Sequence, residues 1–367
     1  MRVAVNAAVM AHPLTGVARY AFELGRALAG LGHDVEYWTW NRFRKSLRER
    51  LGPGPVVRTF PHLRGMGSAV LPWLNSMTAS IDVHHFPNGD LLPSRVPRTA
   101  MIHDMAPFLF DDILEPGLRD FYRRRTARVV EECAVITVNS TTTLDHLLEV
   151  FPEAEGRCRT TPLGCDHELP PPGGPGDLPS GIVPGYLLSV GTVEPRKDYA
   201  TAIRASKMLA GGPGGSSFPG LVIAGGDGYR AAETRELVRE LGMGDLVHFT
   251  GYIDETALST LYAHASAYIH SSLHEGFGLT VAEAIRHGIP VAAAGNSAIV
   301  EMFDGLFERF DTGSAESAAE AAAVVLAKGR GTTPGGGNGH PPSGLTWDNC
   351  ARLTAMAFRE LAGGAGA

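Results

Sequence analysis

"RVAVNAAVMAHPLTGVARYAFELGRALAGLGHDVEYWTW", residues 2–40, decides the fold of this chain. It opens with an apolar strand pattern, "RVAVNA", and closes with another, "HDVEYWTW". Between them, apolar residues recur at helical spacing from Val17 to Leu31, and Gly30 and Gly32 mark the end of that helix. A strand, a helix and a second strand in this order form a βαβ unit, which favours a parallel sheet with helices on both faces.

The rest of the N-terminal half continues this alternation. Residues 99–108 and 133–140 have strand patterns, and a helix is predicted over 116–131 between them. The segment 169–185, "LPPPGGPGDLPSGIVPG", is too rich in proline and glycine for a helix or an inner strand, so it is predicted to link two domains. A length of 367 residues also favours two domains.

Strands and helices alternate again beyond this linker. The predicted strands are 186–191, 221–226, 246–251, 267–272 and 290–295, and the predicted helices are 198–210, 231–242, 254–265 and 279–287. A glycine-rich segment, 328–344, is predicted to be a surface loop before a final helix at 347–361. The chain is therefore predicted to be an α/β protein of two Rossmann-like domains that face each other across a cleft.

The composition of the chain argues against a nucleic-acid-binding, a secreted or a membrane-spanning protein. The net charge is −7, so there is no basic excess of the kind that binds nucleic acid. The N-terminus is too interrupted for a signal peptide, and we find no apolar run of roughly 18 residues that would span a membrane. The four cysteines contain no Cys-x-x-Cys pair. A reducing, cytoplasmic location is expected.

Two basic stretches lie in the N-terminal half, "NRFRKSLRER" at 41–50 and "RRRTARVV" at 123–130. Such runs are usually solvated faces, but they also dock on anionic lipid. Weak peripheral contact with the inner face of the membrane is therefore an additional expectation.

The stretch "HEGFGLTVAEA", residues 274–284, points to a ligand site. Gly276 and Gly278 let the backbone approach a ligand with its amide groups just where a helix begins. Glu283, about one turn into that helix, suits the vicinal diol of a ribose, and Glu275 suits hydroxyls of a second sugar. In the alternative interpretation, Glu283 merely lies favourably near the positive end of the helix dipole and Glu275 is an ordinary loop residue.

Two cations follow a strand in the same half of the chain. The strand 186–191 ends at Gly191, and Arg196 and Lys197 precede the next helix. The carboxyl end of a strand, ahead of a helix N-terminus, is where a diphosphate binds in such folds. Because carboxylates repel a diphosphate, these cations are the counter-charge that the site needs. The set is consistent with a nucleotide diphosphate sugar.

No metal or other cofactor is expected. The histidine pairs at 84–85 and 270/274 have no cysteine or acidic partner at convincing ligand spacing. An Asp-x-Asp triplet, which often holds the divalent metal of transferases, does not occur in the sequence.

Several motifs in order resemble glycosyltransferase family 4, whose members are retaining enzymes of the GT-B fold. "HEGFGLTVAEA" is similar to the E-x-F-G-x-x-x-x-E signature, and "LSVGTVEPRKDYATAIRA" is similar to the donor-phosphate loop of the mannosyltransferase-like branch. The resemblance covers about residues 1–325 and the terminal helix. It is also carried by "GVARYAFELGRAL", "VITVNSTTTLDHL", "TTPLGCD" and "LVHFTGYIDETALSTLYAHASAYIHSS".

The resemblance assigns roles to individual positions. It implies that Arg196 and Lys197 contact the pyrophosphate, Glu283 the ribose and Glu275 the donor sugar, with His103 facing that sugar from the other domain. The catalytic residues would be His103, Arg196, Lys197 and Glu275. The donor-binding residues would be Gly16, Gly191, Gly276, Phe277, Gly278, Leu279 and Glu283.

Two positions depart from the family pattern. Thr192 stands where many members have arginine, so the cationic clamp would consist of Arg196 and Lys197 alone. His270 stands where proline is common, and no effect on the site is expected from it.

The resemblance also implies a domain organisation and a reaction. Residues 1–172, with a C-terminal helix (347–367) that crosses back, would bind the acceptor, and 173–346 would bind the donor. The reaction would be retaining, metal-independent transfer of a hexosyl group, mannose-like by preference, to a hydroxyl of a saccharide, glycolipid or natural product. A GDP-sugar is the favoured donor, with UDP- and dTDP-sugars as alternatives. The rivals are another GT-B enzyme, such as a phosphorylase or an epimerase, and a non-catalytic sugar-nucleotide-binding protein.

Overall fold

The computed structural model describes residues 1–11, 15–60, 80–212, 218–330 and 341–363. The chain forms two compact units. The first consists of Met1–Phe108, Asp120–His167 and Gly344–Ala367, and the second of Leu109–Arg119 and Glu168–Ser343. The chain passes between the units at 167/168, five residues before the domain boundary that the sequence predicts.

The N-terminal half contains seven parallel strands in the order β3-β2-β1-β4-β5-β6-β7. Its elements are β1 (Arg2–Asn6), α1 (Gly16–Gly30), β2 (Asp34–Trp40), α2 (Arg44–Leu51), β3 (Val56–Phe60), β4 (Val83–Phe86), β5 (Arg98–Ile102), α3 (Ala106–Leu109), α4 (Pro116–Glu132), β6 (Val135–Val138), α5 (Thr141–Val150) and β7 (Cys158–Thr160).

The second half contains six parallel strands in the order β10-β9-β8-β11-β12-β13. Its elements are β8 (Leu187–Val190), α6 (Tyr199–Gly211), β9 (Leu221–Ala224), α7 (Ala231–Glu240), β10 (Val247–Gly251), α8 (Glu255–His264), β11 (Ala267–His270), α9 (Leu279–Arg286), β12 (Val291–Ala294), α10 (Ser297–Phe303), β13 (Glu308–Phe310), α11 (Ala315–Lys328) and, back in the first unit, α12 (Trp347–Gly363).

Both sheets are doubly wound, which confirms the predicted fold class. In each sheet the first strand lies between the second and the fourth, so the strand order reverses beside it. In the second unit this places β8 directly beside β11, with Leu188 opposite Tyr268. Ligands of doubly wound sheets bind where the order reverses, outside the carboxyl ends of the strands. The segments that follow β8 and β11 are thus brought to that edge.

Apolar strands flanked by helices form the core of each unit, as parallel sheets require. In the second unit Leu187, Ile223 and Ile269 are fully buried within one cluster. The helix α11 contributes small side chains to the same cluster, including Ala318 and Ala322, so its backbone lies close to the sheet. This packing fixes the strand ends from which the site is built.

The C-terminal helix belongs to the first unit, as the sequence predicts. The amide of Cys165 donates to the carbonyl of Leu345 at 2.9 Å, and the Trp347 amide donates to Asp166 Oδ1 at 2.8 Å. A Cβ atom on Gly164 would lie 2.3 Å from the Trp347 nitrogen, so a glycine is needed where the outgoing and returning chains meet.

Some local predictions were wrong. The predicted strand at 99–108 ends at Ile102, because Asp104 Oδ1 accepts from the Ala106 amide at 3.0 Å and the short helix α3 begins there. Several elements were not predicted: the short strands β3, β4, β7 and β13 and the helices α2, α5, α10 and α11. The predicted loop at 328–344 lies largely outside the described residues.

Two consecutive residues of β4, His84 and His85, are buried histidines. The His84 ring packs against Trp38 and Phe86, with ring centroids 4.8 and 4.2 Å away. Among the described residues no hydrogen-bond partner is found for either His84 ring nitrogen. His85 contacts the Tyr20 hydroxyl at 3.0 Å and the Thr99 hydroxyl at 2.9 Å. Burial lowers the pKa of each histidine to about 3.

These pKa values predict that acid destabilises the first unit. Both lie below the unfolded value, about 6.5. Between about pH 6.5 and 3 the unfolded chain therefore binds protons that the folded chain excludes, so stability is complete above this window and falls as the pH falls through it. His84→Leu should reduce the slope by up to about 1.4 kcal/mol per pH unit. Scanning calorimetry between pH 4 and 8 measures this.

The control is His84→Gln, which removes the ionisable group but keeps a polar side chain. It should lose the same part of the pH slope, whereas only the leucine variant should match wild-type stability at pH 8. An unchanged slope in both variants would show that His84 does not titrate on unfolding.

Candidate active site

The loop after β8 folds back on itself. Gly191 has φ 151°, a conformation that favours glycine. A Cβ atom there would lie 2.9 Å from Lys197 Cε. The Tyr199 hydroxyl donates to the Gly191 carbonyl at 2.8 Å, and a Cβ atom on Gly225 would lie 2.0 Å from the same carbonyl oxygen. Both glycine turns are therefore needed for the loop to pack this tightly.

Arg196 and Lys197 lie in a short 3-10 turn, Pro195–Lys197, immediately before α6. Asp198, with φ 44°, caps that helix, and its Oδ2 accepts from the Thr201 hydroxyl at 2.6 Å. The cap fixes where α6 begins, and thereby fixes the two cations at the carboxyl edge of the sheet.

Backbone contacts join this loop to the one after β11. The Leu273 amide donates to the Arg196 carbonyl at 2.8 Å. The Ser271 hydroxyl donates to the Lys197 carbonyl, also at 2.8 Å. The side chains of the two loops are thus held at fixed distances from each other.

Glu275 lies between the two cations. Its Oε1 is 2.6 Å from Lys197 Nζ, and its Oε2 is 3.1 Å from Arg196 Nη1. Oε1 also accepts from the Ser272 hydroxyl at 2.7 Å and is 3.3 Å from His270 Nε2. Burial acts to raise the pKa of Glu275, but Lys197 and Arg196 outweigh it, and this pKa lies well below its usual range. The carboxylate is therefore ionised.

A second carboxylate, Glu194, also contacts Arg196. The distance from its Oε1 to Arg196 Nη2 is 2.9 Å, and Arg196 Nη1 donates to the His274 carbonyl at 3.1 Å. Two cations and two carboxylates thus form one partly buried network. Glu194 was not among the predicted site residues, although it is part of the "EPRKD" motif. No effect on the site was expected from His270, but its ring contacts Glu275.

The turn before α9 depends on Gly278. It has φ 96°, and a Cβ atom on it would lie 2.3 Å from Ile299 Cδ1. Phe277 is buried and packs edge-to-face on Phe303, with centroids 6.0 Å apart. Since the Phe277 side chain is in the core, this stretch presents backbone groups at the start of α9, where helix amides have no intrahelical acceptors.

Glu283 projects from α9 and is 8% exposed. Its Oε2 accepts from the Tyr262 hydroxyl at 2.9 Å. Tyr262 was not among the predicted site residues. Its spacing on α8 is that of a core residue, so no local signal marks it as a partner of Glu283.

His103 belongs to the first unit and follows β5. Its Nε2 is 2.7 Å from the Pro87 carbonyl. Because a carbonyl only accepts, Nε2 carries the proton and donates it. Burial lowers the pKa of His103 to about 4, so the ring is neutral near pH 7 and Nδ1 is an acceptor. Asn139 Nδ2 donates to the His103 carbonyl at 2.9 Å, which fixes the backbone there.

The structure thus divides the predicted residues between the units. Gly16, the first residue of α1, and His103 lie in the first unit. The remainder lie in the second unit, on the β8 loop, the β11 loop and α9. Arg196, Lys197 and Glu275 are in direct contact. The roles that the sequence assigns to all these residues stay predictions.

Two features are absent from the described residues, a metal-binding cluster and a membrane-spanning helix. In that part of the chain no group of three or more histidine, cysteine, aspartate or glutamate side chains is arranged to hold a metal ion. No helix in the same part is both long and apolar enough to cross a membrane.

Known proteins resemble this chain along most of its length. One relative is the O-antigen chain mannosyltransferase B of Escherichia coli, 25% identical over 60% of this chain and 58% of its own length. Another is the D-inositol 3-phosphate glycosyltransferase of Acidothermus cellulolyticus, 29% identical over 76% of this chain and 70% of its own. The match to the first therefore spans little more than half of that protein.

The fold also matches solved structures. A sucrose-phosphate synthase from Thermosynechococcus elongatus superposes with a TM-score of 0.73 at 20% identity, covering 99% of this chain and 100% of its own. This likeness supports the two-domain GT-B architecture.

Family models match both halves of the chain. The model described as "Glycosyltransferase Family 4" matches residues 14–169, and the one described as "Glycosyl transferases group 1" matches residues 183–330. The two matches fall on the two doubly wound sheets in chain order. The chain belongs to glycosyltransferase family 4.

Proposed function

We propose that this chain is a retaining, metal-independent hexosyltransferase. It moves a hexosyl group, mannose-like by preference, from a nucleotide diphosphate sugar to a hydroxyl of a saccharide, glycolipid or natural-product acceptor. The observation that carries the proposal is the ionised Glu275 carboxylate in contact with Lys197 and Arg196, at the point where the strand order of the second unit reverses.

The cations are proposed to bind the diphosphate. Arg196 and Lys197 lie at the carboxyl edge of β8, beside the loop that leads to the start of α9. Guanidinium and ammonium groups form strong charge-assisted bonds to phosphate, and the N-terminus of a helix adds partial positive charge. Together they stabilise the charge that develops on the diphosphate as it leaves the sugar.

The carboxylates are proposed to bind the two sugars. Glu275 is ionised, so it accepts hydrogen bonds from hydroxyls of the transferred sugar. Glu283, with its carboxylate held by Tyr262, accepts from the ribose. Neutral His103 in the first unit is proposed to face the transferred sugar, and its Nδ1 would accept from a hydroxyl.

The names of two relatives bear on the identity of the transferred sugar and of the acceptor. The name of the Escherichia coli relative, a mannosyltransferase, favours a mannose-like sugar. The GDP-linked donor is proposed from the resemblance of the "EPRKD" loop to that of the mannosyltransferase-like branch. Another relative is named for D-inositol 3-phosphate, so small polyols are candidate acceptors as well as saccharides. A thermal-shift panel of GDP, UDP, dTDP and ADP tests the base, since a ligand at 100 times its dissociation constant stabilises by about 2.7 kcal/mol.

Weak contact with an anionic membrane, from the cytoplasmic side, is a secondary proposal. It relies on the basic stretch at 123–130, but Arg125 lies 3.3 Å from Asp90 and Arg128 lies 2.8 Å from Glu132. Because these arginines have acidic partners, the contact should be weak and lost at moderate salt.

Substitutions in the cation–carboxylate network should act on turnover. Lys197→Ala and Glu275→Ala are each expected to lower kcat on the order of a hundredfold or more, as losses of preorganised charge stabilisation do. Glu283→Ala should instead raise the donor KM with little effect on kcat, since the ribose is bound alike in the ground and transition states. Steady-state kinetics with the preferred donor separate the two effects.

A matched control for these variants is Glu308→Ala. Glu308 is the first residue of β13, at the amino edge of the same sheet and so at the edge opposite the site, and its Oε2 lies 2.9 Å from Lys328 Nζ. This variant should keep wild-type kinetics. An unchanged donor KM in Glu283→Ala would exclude the ribose assignment.

Activity should survive removal of divalent metal. Arg196, Lys197 and the start of α9 are proposed to neutralise the leaving diphosphate, a task that Mg²⁺ or Mn²⁺ performs in metal-dependent transferases. Initial rates with excess EDTA should equal those without it. Loss of activity in EDTA that magnesium or manganese restores would contradict the proposal.

The product should keep the anomeric configuration of the donor. Double displacement would need a carboxylate nucleophile under the anomeric carbon. Glu275 is unsuited to that role because the family resemblance implies that it lies at the hydroxyl edge of the transferred sugar, away from the anomeric carbon. Same-face attack remains, in which the departing phosphate oxygen takes the acceptor proton while cations hold the diphosphate.

Proton NMR of the fresh product from an α-linked donor tests this stereochemistry. An α anomer is expected. A β anomer would require a general base on the acceptor side and would overturn the proposed mechanism.

A further inference from the structure

A buried tyrosine is hydrogen-bonded to the carboxylate that is proposed to bind ribose. Tyr262, on α8, is fully buried, and its hydroxyl lies 2.9 Å from Glu283 Oε2. The carbonyl of Thr280 is a second acceptor at 3.4 Å. A tyrosine has one hydroxyl proton, and the nearer, charged acceptor takes it.

Neighbouring residues hold both the ring and the backbone of Tyr262. It stacks on the His287 ring, with centroids 4.9 Å apart and planes 12° from parallel. Arg330 Nη1 donates to the Tyr262 carbonyl at 2.8 Å, and Arg330 Nη2 donates to the His287 carbonyl at 2.9 Å. Arg330 thus ties the last turn of α8 to the end of α9, the helix that carries Glu283. The Tyr262 hydroxyl therefore has a fixed position relative to that helix.

The fixed Tyr262 hydroxyl orients the Glu283 carboxylate. A glutamate side chain has several rotatable bonds, and accepting hydrogen bonds from both hydroxyls of a diol requires one orientation of its carboxylate. A ligand that must first order such a side chain binds more weakly, because each immobilised side chain costs about 0.5–1.5 kcal/mol. Tyr262 provides that order before the ligand arrives.

We propose that Tyr262 is a positioning residue that sets the preference of this site for a ribose with both hydroxyls, acting through Glu283. The inference rests on the proposed function, in which Glu283 binds the ribose. If it is right, removal of the Tyr262 hydroxyl weakens recognition of the ligand's diol. Removal of the hydroxyl of a tyrosine with a purely structural role would not have this effect.

The test compares two ligands that differ only in the diol. Isothermal titration calorimetry gives the dissociation constants of GDP and of 2′,3′-dideoxy-GDP, with the corresponding uridine pair as a second series. The ratio of the two constants measures diol recognition and cancels effects on the diphosphate and the base. Tyr262→Phe removes only the hydroxyl and keeps the ring that stacks on His287.

The wild-type protein should bind GDP more tightly than the dideoxy ligand by on the order of tenfold or more, the usual strength of hydrogen bonds to a charged group. Glu283→Ala should bring the ratio near one. Tyr262→Phe should lower the ratio several-fold and raise the donor KM, with kcat at saturating donor close to wild type. The double variant should match Glu283→Ala, because Tyr262 acts through Glu283.

Tyr186→Phe is the matched control. Tyr186 is also buried, and its hydroxyl donates to the carbonyl of Leu261, next to Tyr262 in the chain, at 2.8 Å. Both phenylalanine variants lose one buried hydroxyl bond and should melt at lower temperature. Only Tyr262→Phe should change the ratio.

The outcomes separate the inference from the function on which it rests. A wild-type ratio in Tyr262→Phe, together with a lost preference in Glu283→Ala, overturns the positioning role and leaves the ribose assignment intact. A wild-type ratio in Glu283→Ala overturns both. A ratio that falls equally in Tyr186→Phe also overturns the inference, since it shows a general effect of loosening α8.

Discussion

The ion pairs of Glu275 with Lys197 and Arg196 are the interaction on which the rest of the second unit's site depends. Removing charged groups from water costs several kcal/mol per ion, so such groups persist only where opposite charge and hydrogen bonds compensate them. Here compensation needs side chains that are 78 residues apart in the chain. They meet because β8 and β11 are neighbours, which is a consequence of the reversed strand order. The sheet topology and the charge network therefore cannot be changed independently.

Much of the fold and part of the site could be predicted from the sequence, for physical reasons. Buried parallel strands have continuous apolar patterns, and side chains that follow them share one edge of the sheet. For this reason the sequence alone groups Arg196, Lys197 and Glu275 into one site. Short strands gave no such signal. β4 is "VHHF", and its two histidines interrupt the apolar pattern although both are buried.

The supporting residues of the site could not be predicted in this way. Tyr262 has the spacing of a core residue, and its hydroxyl finds Glu283 only because α8 and α9 pack together. His270 differs from the common family residue without any sign in the sequence that its ring would contact Glu275. Glu194 lies beside Arg196 in the chain, but a neighbouring glutamate is equally compatible with a solvated loop. These contacts depend on which segments pack together in the folded chain, and local sequence patterns do not contain that information.

The charge balance of the network bears on how the proposed donor would be recognised. Arg196 and Lys197 are balanced by Glu194 and Glu275. Each phosphate of the proposed nucleotide sugar would bring further negative charge, so its diphosphate would compete with Glu275 for the two cations. If the cations turned to the phosphates, Glu275 would keep the Ser272 hydroxyl on Oε1 but lose its ion pairs, and a partly buried carboxylate without them is costly. Hydroxyls of the attached sugar would then take the place of the lost ion pairs. A free diphosphate would leave Glu275 undercompensated, and a free sugar would meet a carboxylate already paired with cations, so the intact nucleotide sugar would satisfy this network better than either part alone.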